Sequence, residues 1–300
     1  MGETNSRFTV GDAKIHRIEE LTARLPFSMF GAPQAVIDKN MHWLSPSWLN
    51  ADGTWDMVVQ SWIVIVDGRV IVVDPCVGNG RNLPHFELFH MLDTPFIEHF
   101  AAAGIRPQDV DGVVCTHLHS DHCGWNTCLR NGRYVPTFPN ARYYMAQREF
   151  DRWDSRRPEH RPVPANEGVF ENSVLPVLEA GLAELIPDEF AISPSLKTEA
   201  AHGHTLGHIA LHLTSAEQEA WFTGDTFHHP IELIHPELDA NTCEDFTRTL
   251  ASRRRLIERF LTSGALIVPA HFATPHVGYL RQAETGPKFE PFAPAQCCGG

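Results

Sequence analysis

The stretch from Gly112 to Trp125 reads GVVCTHLHSDHCGW, a short apolar run that ends in three histidines and an aspartate within six positions, His117 to His122. In an extended segment, residues two apart point to the same side. His117 and His119 therefore leave the end of a strand together, as two ligands of one ion must. Asp121 and His122 come after the turn, where their side chains can aim at a second position close by. Gly124 is read as the residue that frees the backbone to turn into the next segment. Imidazole combined with carboxylate suits zinc, iron, manganese or nickel, and zinc leads on ligand type.

One segment cannot fill two coordination spheres, so the remaining ligands are expected from further along the chain. AHGHTLGHIALHL offers His202, His204, His208 and His212. FTGDTFHHP offers Asp225 after an apolar run, and LIVPAHF offers His271 at a strand end, with His276 a competitor beyond it. On residue type and spacing alone, the choice among these stays open.

Composition bounds what such a site can serve. With 300 residues, 43% apolar and 20% charged, the chain has an ordinary globular make-up and can build a large core. The formal net charge is −13, and the densest basic runs are Arg253-Arg254-Arg255 and Arg156-Arg157. Both are read as solvated faces, so nucleic acid is not an expected partner. No apolar run reaches the roughly 18 residues of a membrane span, and MGETNSRFTVGDAKIHRIEE lacks the apolar region of a signal peptide. The seven cysteines are odd in number and irregular in spacing. That favours a reduced, cytoplasmic protein in which Cys115 and Cys123 are small buried residues and Cys297-Cys298 belong to a tail.

Two apolar runs, 62–66 and 70–74, flank Asp67-Gly68-Arg69 and predict a hairpin. A helix is expected near 95–104, strands at 112–116 and 141–145, and helices with loops over 147–195. Further strands are expected near 198–201, 209–214, 220–223 and 265–268, with a helix over 243–262 between the last two. The N-terminal region reads as irregular. Its Pro/Gly-rich part supplies Phe27, Met29, Phe30, Met41, Trp43, Trp48 and Trp55 for a satellite core, a dimer contact or a wall over a substrate pocket. The resulting division is an aromatic-rich extension over 1–55 packed on the core, one catalytic domain over 56–285, and a tail over 286–300. Two sheets with covering helices, and polar residues gathered at strand ends, fit an α/β sandwich.

THLHSDHCGW resembles the HxHxDH motif of the metallo-β-lactamase-fold hydrolases, and GHTLGH resembles their next histidine motif. The GD of FTGDT matches the aspartate motif and PAH the last histidine, in the same order, from about Trp62 to His271. The resemblance implies a four-layer αββα sandwich with the site at one edge. It places one metal on His117, His119 and His204, the second on Asp121, His122 and His271, and Asp225 between them. His208 would be a supporting partner and His212 a strand residue. Two divalent ions, with zinc leading, would share a hydroxide that attacks the substrate. Asp121 is implicated at the leaving oxygen in related lactonases.

DPCVGNG, Trp125 and GDTFHHPIELIHPE look most like the branch containing N-acyl-homoserine lactonases and methyl parathion hydrolase. The implied reaction is opening of a lactone, as in quorum quenching, or cleavage of a carboxylic ester. Phosphotriester hydrolysis is the alternative, and thioesterases and mononuclear-iron dioxygenases share parts of the motif. Many lactonases hold the substrate carbonyl with a tyrosine. Here Tyr134, Tyr143, Tyr144 and Tyr279 all lie away from the Asp225 loop, where His228 or His229 can donate instead. The expected partner is a small ester or lactone, with neither nucleic acid nor membrane, and the aromatic N-terminal segment allows a homodimer.

Overall fold

Two seven-stranded sheets carry apolar residues on both of their faces, and that double burial dictates the layering. The computed structural model describes residues 5–292. The first sheet begins with β1 (Asn5–Val10), β2 (Ala13–Pro26), β3 (Thr54–Val66), β4 (Arg69–Val73) and β5 (Gly112–Cys115). A separate hairpin of β6 (Thr127–Arg130) and β7 (Arg133–Pro136) follows. Then β8 (Arg142–Ala146) and β9 (Ala183–Ile186) complete the order β1-β2-β3-β4-β5-β8-β9. The second sheet runs in chain order through β10 (Phe190–Ala191), β11 (Leu196–Ala200), β12 (Ile209–Ser215), β13 (Gln218–Phe222), β14 (Leu266–Val268), β15 (Gly278–Ala283) and β16 (Gly286–Pro291).

Side chains alternate between two cores with the period of two that a strand imposes. Trp62, Val64 and Val66 of β3, Ile71 and Val73 of β4, and Val114 of β5 meet Leu211, Phe222 and Leu266 in a core shared only by the sheets. The intervening Ile63, Val72, Val113, Trp221 and Ile267 join a second core with helical residues such as Phe96, Phe150 and Phe260. A strand buried on both faces reads as an unbroken apolar run, which is why VIVV and GVVC are so legible. Helices α1 (Gln34–Leu44), α2 (Phe96–Ala102), α3 (Ser120–Cys123), α4 (Gln147–Trp153), α5 (Leu175–Glu179), α6 (Ile231–Ile234) and α7 (Phe246–Ser263) supply the outer layers. Of these, α2 and α4 pack on the first sheet and α7 on the second. The result is the αββα sandwich that the resemblance implied.

The hairpin at Asp67-Gly68 forms as expected: Val66 pairs with Arg69, and both turn residues have positive φ, 52° and 73°. The N-terminal region is not irregular. β2 pairs with β3 from Lys14↔Ile65 to Pro26↔Thr54, so a boundary at 55/56 would cut through a strand pair. A register shift between Glu19 and Leu21 breaks the alternation that would have revealed β2. At the other end β16 pairs with β15 from Gly278↔Pro291 to Ala283↔Gly286, so residues 286–291 belong to the second sheet rather than to a tail. Its two prolines are compatible with an edge strand and disguised it. Cys297, Cys298 and the rest of the expected tail from residue 293 on lie outside the described residues. Within 147–195, β9 was also missed. Among the described residues, no helix is long and apolar enough to cross a membrane.

Gly124 is required for a different reason from the one expected. Its backbone is ordinary helical, φ −60° and ψ −54°, so no special freedom is used. A Cβ there would sit 1.6 Å from the carbonyl oxygen of Val77. Replacement Gly124→Ala is expected to force the 76–78 backbone away and cost about 1–3 kcal/mol, the usual range for overpacking. Urea unfolding would measure it, and an unchanged midpoint would show that the contact can relax.

Candidate metal centre

The ends of β5 and β13, the β11–β12 connection and the residues after β14 meet at one edge of the sandwich. There seven side chains gather in two groups, His117, His119, His204 and Asp225 in one and Asp121, His122 and His271 in the other, with ligand atoms within 4.8 Å inside each group. His119 Nδ1 lies 3.0 Å from Nε2 of both His117 and His204. His122 Nε2 and His271 Nε2 are 3.2 Å apart. Asp225 divides its oxygens: Oδ2 is 3.2 Å from His204 Nε2, and Oδ1 is 3.1 and 3.0 Å from His122 and His271 Nε2. Asp121 Oδ2 stands 3.7 and 3.6 Å from the same two nitrogens.

Ligands 2.0–2.1 Å from a tetrahedral ion are separated from one another by roughly 3.3 Å, close to these spacings. Three imidazole nitrogens converging on a carboxylate cannot satisfy one another, whereas a divalent cation satisfies them all. His271 already donates through Nδ1 to Val58 O, so its neutral ring turns a lone pair rather than an N–H toward Asp225 Oδ1, 3.0 Å away. These residues fit a pair of divalent ions.

The far side of each ring is also held. His271 is pinned twice by β3: Val58 N–H donates to its carbonyl at 3.1 Å, and its Nδ1 donates to Val58 O at 2.9 Å. Asp74, just after β4, accepts from Thr116 N and Oγ1 at 2.7 and 2.8 Å. Thr116 Oγ1 in turn lies 3.1 Å from His117 Nδ1, and Asp74 Oδ2 lies 3.1 Å from His122 Nδ1. Such outer partners fix the tautomer that leaves Nε2 facing inward. Burial lowers His117 and His204 well below the usual imidazole range and His119 to about 4, so these rings keep a free lone pair at neutral pH. Burial alone would raise the Asp225 carboxyl, but His122, His271 and the neighbouring rings outweigh it and hold it well below the carboxylate range.

Other candidates are sorted by where they sit. His208 Nε2 accepts from Asp225 N at 3.0 Å, the supporting place expected of it. His212 lies on β12, stacked on Trp221. His202 faces Asp188, and His276 bonds Phe272 O. Cys115 and Cys123 are buried. His228 lines the cavity, with Nε2 3.3 Å from Asp225 Oδ2.

His229, the other expected donor, does not reach the cavity. Its Nε2 donates to Trp48 O at 2.9 Å, its Nδ1 accepts from Ile231 N at 3.0 Å, and Phe27, Phe30, Trp48 and Trp55 surround its ring. With both nitrogens engaged, it is a structural residue. Arg253 also differs from expectation. Only one of three consecutive arginines on a helix can turn inward, and Arg253 does so fully: it donates to Thr226 O, Leu238 O and Glu232 Oε1 at 2.8, 2.6 and 2.6 Å. Glu232 in turn accepts from the backbone of His228 and His229. Burial would raise its carboxyl, but Arg253 first and His228 next bring it down to about 2.

Above the cluster opens a cavity of about 550 Å³, walled by Leu25, Met29, Trp55, Met57, Phe86, Leu88 and Phe89 and edged by Asn166, Asn241 and Thr242. The aromatic N-terminal segment thus serves two purposes, Met29 and Trp55 in the wall and Phe27, Phe30 and Trp48 around His229. Asp74, Glu149 and Glu232 were missed because buried acids look like surface acids in a sequence. For Asp74, its position directly after an apolar strand was the available signal.

The family model described as the metallo-beta-lactamase superfamily matches residues 54–271. No curated protein sequence is matched by the chain. Among solved structures, AbOPH, a hydrolase in the beta lactamase superfamily, aligns with TM-score 0.80 and 22% identity over 97% of this chain and 98% of its own. AidC, a dizinc quorum-quenching lactonase solved with a product, aligns with TM-score 0.75 and 17% identity over 96% and 97%. An N-acyl homoserine lactone hydrolase with N-hexanoyl-L-homoserine at its catalytic metal centre aligns with TM-score 0.58 and 18% identity over 88% and 94%. At these identities the likeness is one of fold.

Asp74→Ala is expected to weaken metal binding about 10–100-fold, the usual cost of losing an outer partner, as read by chelator competition with the fold monitored by circular dichroism. Arg253→Met strands Glu232 and is expected to cost about 3–5 kcal/mol in urea unfolding at neutral pH. Because the Glu232 carboxyl is depressed, its contribution is complete above the ordinary value of 4.5 and is lost as pH falls toward about 2. The deficit of the variant should therefore shrink over that window. A deficit independent of pH would assign it to packing alone.

Proposed function

The chain belongs to the metallo-beta-lactamase superfamily and is a metal-dependent hydrolase of it, and from that premise we propose that it opens lactones or cleaves carboxylic esters. One observation carries the reading: an apolar cavity whose floor is the paired His/Asp cluster. We assign one divalent ion to His117, His119, His204 and Asp225 and the other to Asp121, His122, His271 and Asp225, with zinc the favoured metal. Bound ions of this kind supply Lewis acidity toward a substrate oxygen and lower the pKa of water so that a nucleophile forms at neutral pH.

The rest falls to the chain. The wall of Met29, Trp55, Met57, Phe86, Leu88 and Phe89 holds the apolar part of the substrate and keeps water from it. His228 is assigned the carbonyl-holding role that lactonases give to a tyrosine, because none of the four tyrosines lines the cavity. Tyr143 is bonded to the Phe138 backbone, Tyr144 to Arg69 and Tyr134 to Gly80 O, and Tyr279 packs on Phe292. Asp121 keeps 13% of its side chain open whereas Asp225 keeps 5%. We assign Asp121 the proton traffic at the leaving oxygen because the resemblance to related lactonases implies it, and its greater exposure is compatible with that role.

The test is a set of initial rates for zinc-loaded protein on matched lactones, aryl esters and phosphotriesters. The expected result is preference for the carbonyl substrates, with kcat/KM rising roughly fourfold per added acyl CH2, the equivalent of about 0.8 kcal/mol of burial, until the cavity is filled. His228→Ala should lower kcat/KM by about 100-fold, typical of losing one such donor, and Asp225→Ala should abolish turnover. Faster turnover of phosphotriesters would replace the carbonyl reading with the phosphoryl one.

A further inference from the structure

Glu149 lies outside the cavity and outside both ligand groups, yet it is 1% exposed and its carboxylate is fully engaged. Oε1 accepts from Leu118 N at 3.0 Å and from Trp153 Nε1 at 2.7 Å. Oε2 accepts from Thr205 Oγ1 at 2.7 Å and from Gly207 N at 3.0 Å. Leu118 stands between His117 and His119, and Thr205 directly follows His204. One oxygen therefore holds the loop that follows β5, and the other holds the loop between β11 and β12. These loops carry the three histidines of the first group, one from each half of the sandwich in the case of His117 and His204.

The contact is close-packed as well as hydrogen-bonded. A Cβ on Gly207 would lie 2.2 Å from Glu149 N, so the second loop is seated directly on the start of α4. Trp153, fixed by the same carboxylate, sets its ring 5.4 Å from that of His119. The second group has other supports: His271 is held by Val58, and His122 faces Asp74. Of the hydrogen bonds to Glu149, only that from Leu118 comes from a segment that also carries second-group residues, and Asp121 and His122 stand beyond it on α3; the bonds from Thr205 and Gly207 serve the loop of His204 alone.

We propose that Glu149 is a positioning residue for one metal position only, so that its loss uncouples the two ions and leaves a chain that retains the ion at Asp121, His122 and His271 while releasing the ion at His117, His119 and His204. The proposal rests on the two-ion reading of the cluster. Glu149→Gln is the discriminating change. It preserves size, but an amide NH2 must face either Leu118 N–H or Gly207 N–H, and two donors cannot bond each other. The better orientation turns NH2 toward Thr205, whose hydroxyl can rotate to accept, and leaves Gly207 N–H unpaired.

The experiment measures bound zinc per chain in the full-length protein, dialysed against a graded series of chelator concentrations. Wild type should hold two ions. Glu149→Gln should lose one of them at a free-metal level 10–100-fold higher than wild type, the span typical of outer partners, and keep the other at the wild-type level. His204→Ala and His271→Ala identify the site: Glu149→Gln combined with His204→Ala should bind as His204→Ala does alone, whereas combined with His271→Ala it should lose both ions. Thr205→Val, which removes a single donor, should shift the same ion by a smaller factor and serves if the glutamine variant does not fold. Equal weakening of both ions, or of neither, would overturn the proposal while leaving the two-ion centre intact. A wild-type chain that takes up no zinc would overturn the two-ion reading and this proposal together.

Discussion

A carboxylate tolerates burial only when donors surround it, and this protein builds its working edge around four that do. Glu20 accepts from Val77 N, Gly78 N, Trp125 Nε1 and Thr94 Oγ1. Asp74 gathers Thr116 and faces His122, Glu149 gathers the loops at Leu118 and Gly207, and Glu232 gathers the backbone at His228 and the side chain of Arg253. Each joins segments far apart in the chain. Together they convert loops, which are otherwise the mobile part of a fold, into a rigid frame. The arrangement is brittle for the same reason: removing one partner leaves an unsatisfied buried group rather than merely a missing contact.

Within that frame the two halves of the sandwich contribute different ligands to one place. The first half supplies His117, His119, Asp121 and His122 from a single strand end. The second supplies His204, Asp225 and His271 from three separate connections, and Asp225 offers an oxygen to each group. Burial keeps imidazoles such as His117 and His204 neutral, and the crowd of rings keeps Asp225 ionised. Those are the protonation states a cationic occupant needs. His122 goes the other way: despite its burial, Asp225, Asp121 and Asp74 raise it well above the usual imidazole range, so it must give up a proton before it can hold a cation.

Much of this was legible in the sequence, and what was not shares a cause. GVVCTHLHSDH could be read because an apolar strand and its terminal ligands are contiguous, and the Asp67-Gly68 turn because its chemistry is local. β2 was hidden by the bulge at Glu20 and by residues that suit helices as well as strands. β16 was hidden by prolines that only an edge position tolerates. Arg253 and Glu232 each look like a surface residue until the other is known. His228 and His229 are adjacent and chemically identical, and only the packing of Phe27, Phe30, Trp48 and Trp55 separates a cavity residue from a structural one. Local patterns carry local structure, whereas roles set by a distant partner await the fold.

The pairing of Pro26 with Thr54 closes a neck at the end of β2 and β3, and residues 27–53 form one long excursion from it. Lengthening a loop beyond a closed neck costs little, growing only with the logarithm of its length. The excursion supplies Met29 to the cavity wall, so its sequence and length can drift and re-tailor which substrates fit while the strand register and the ligand cluster stay as they are. Tethers limit that drift, among them the carbonyl of Trp48 held by His229 and Asn40 Nδ2 at 3.0 Å from His235 Nε2. Descendants of this chain that change their diet are expected to vary most between such tethers and the neck.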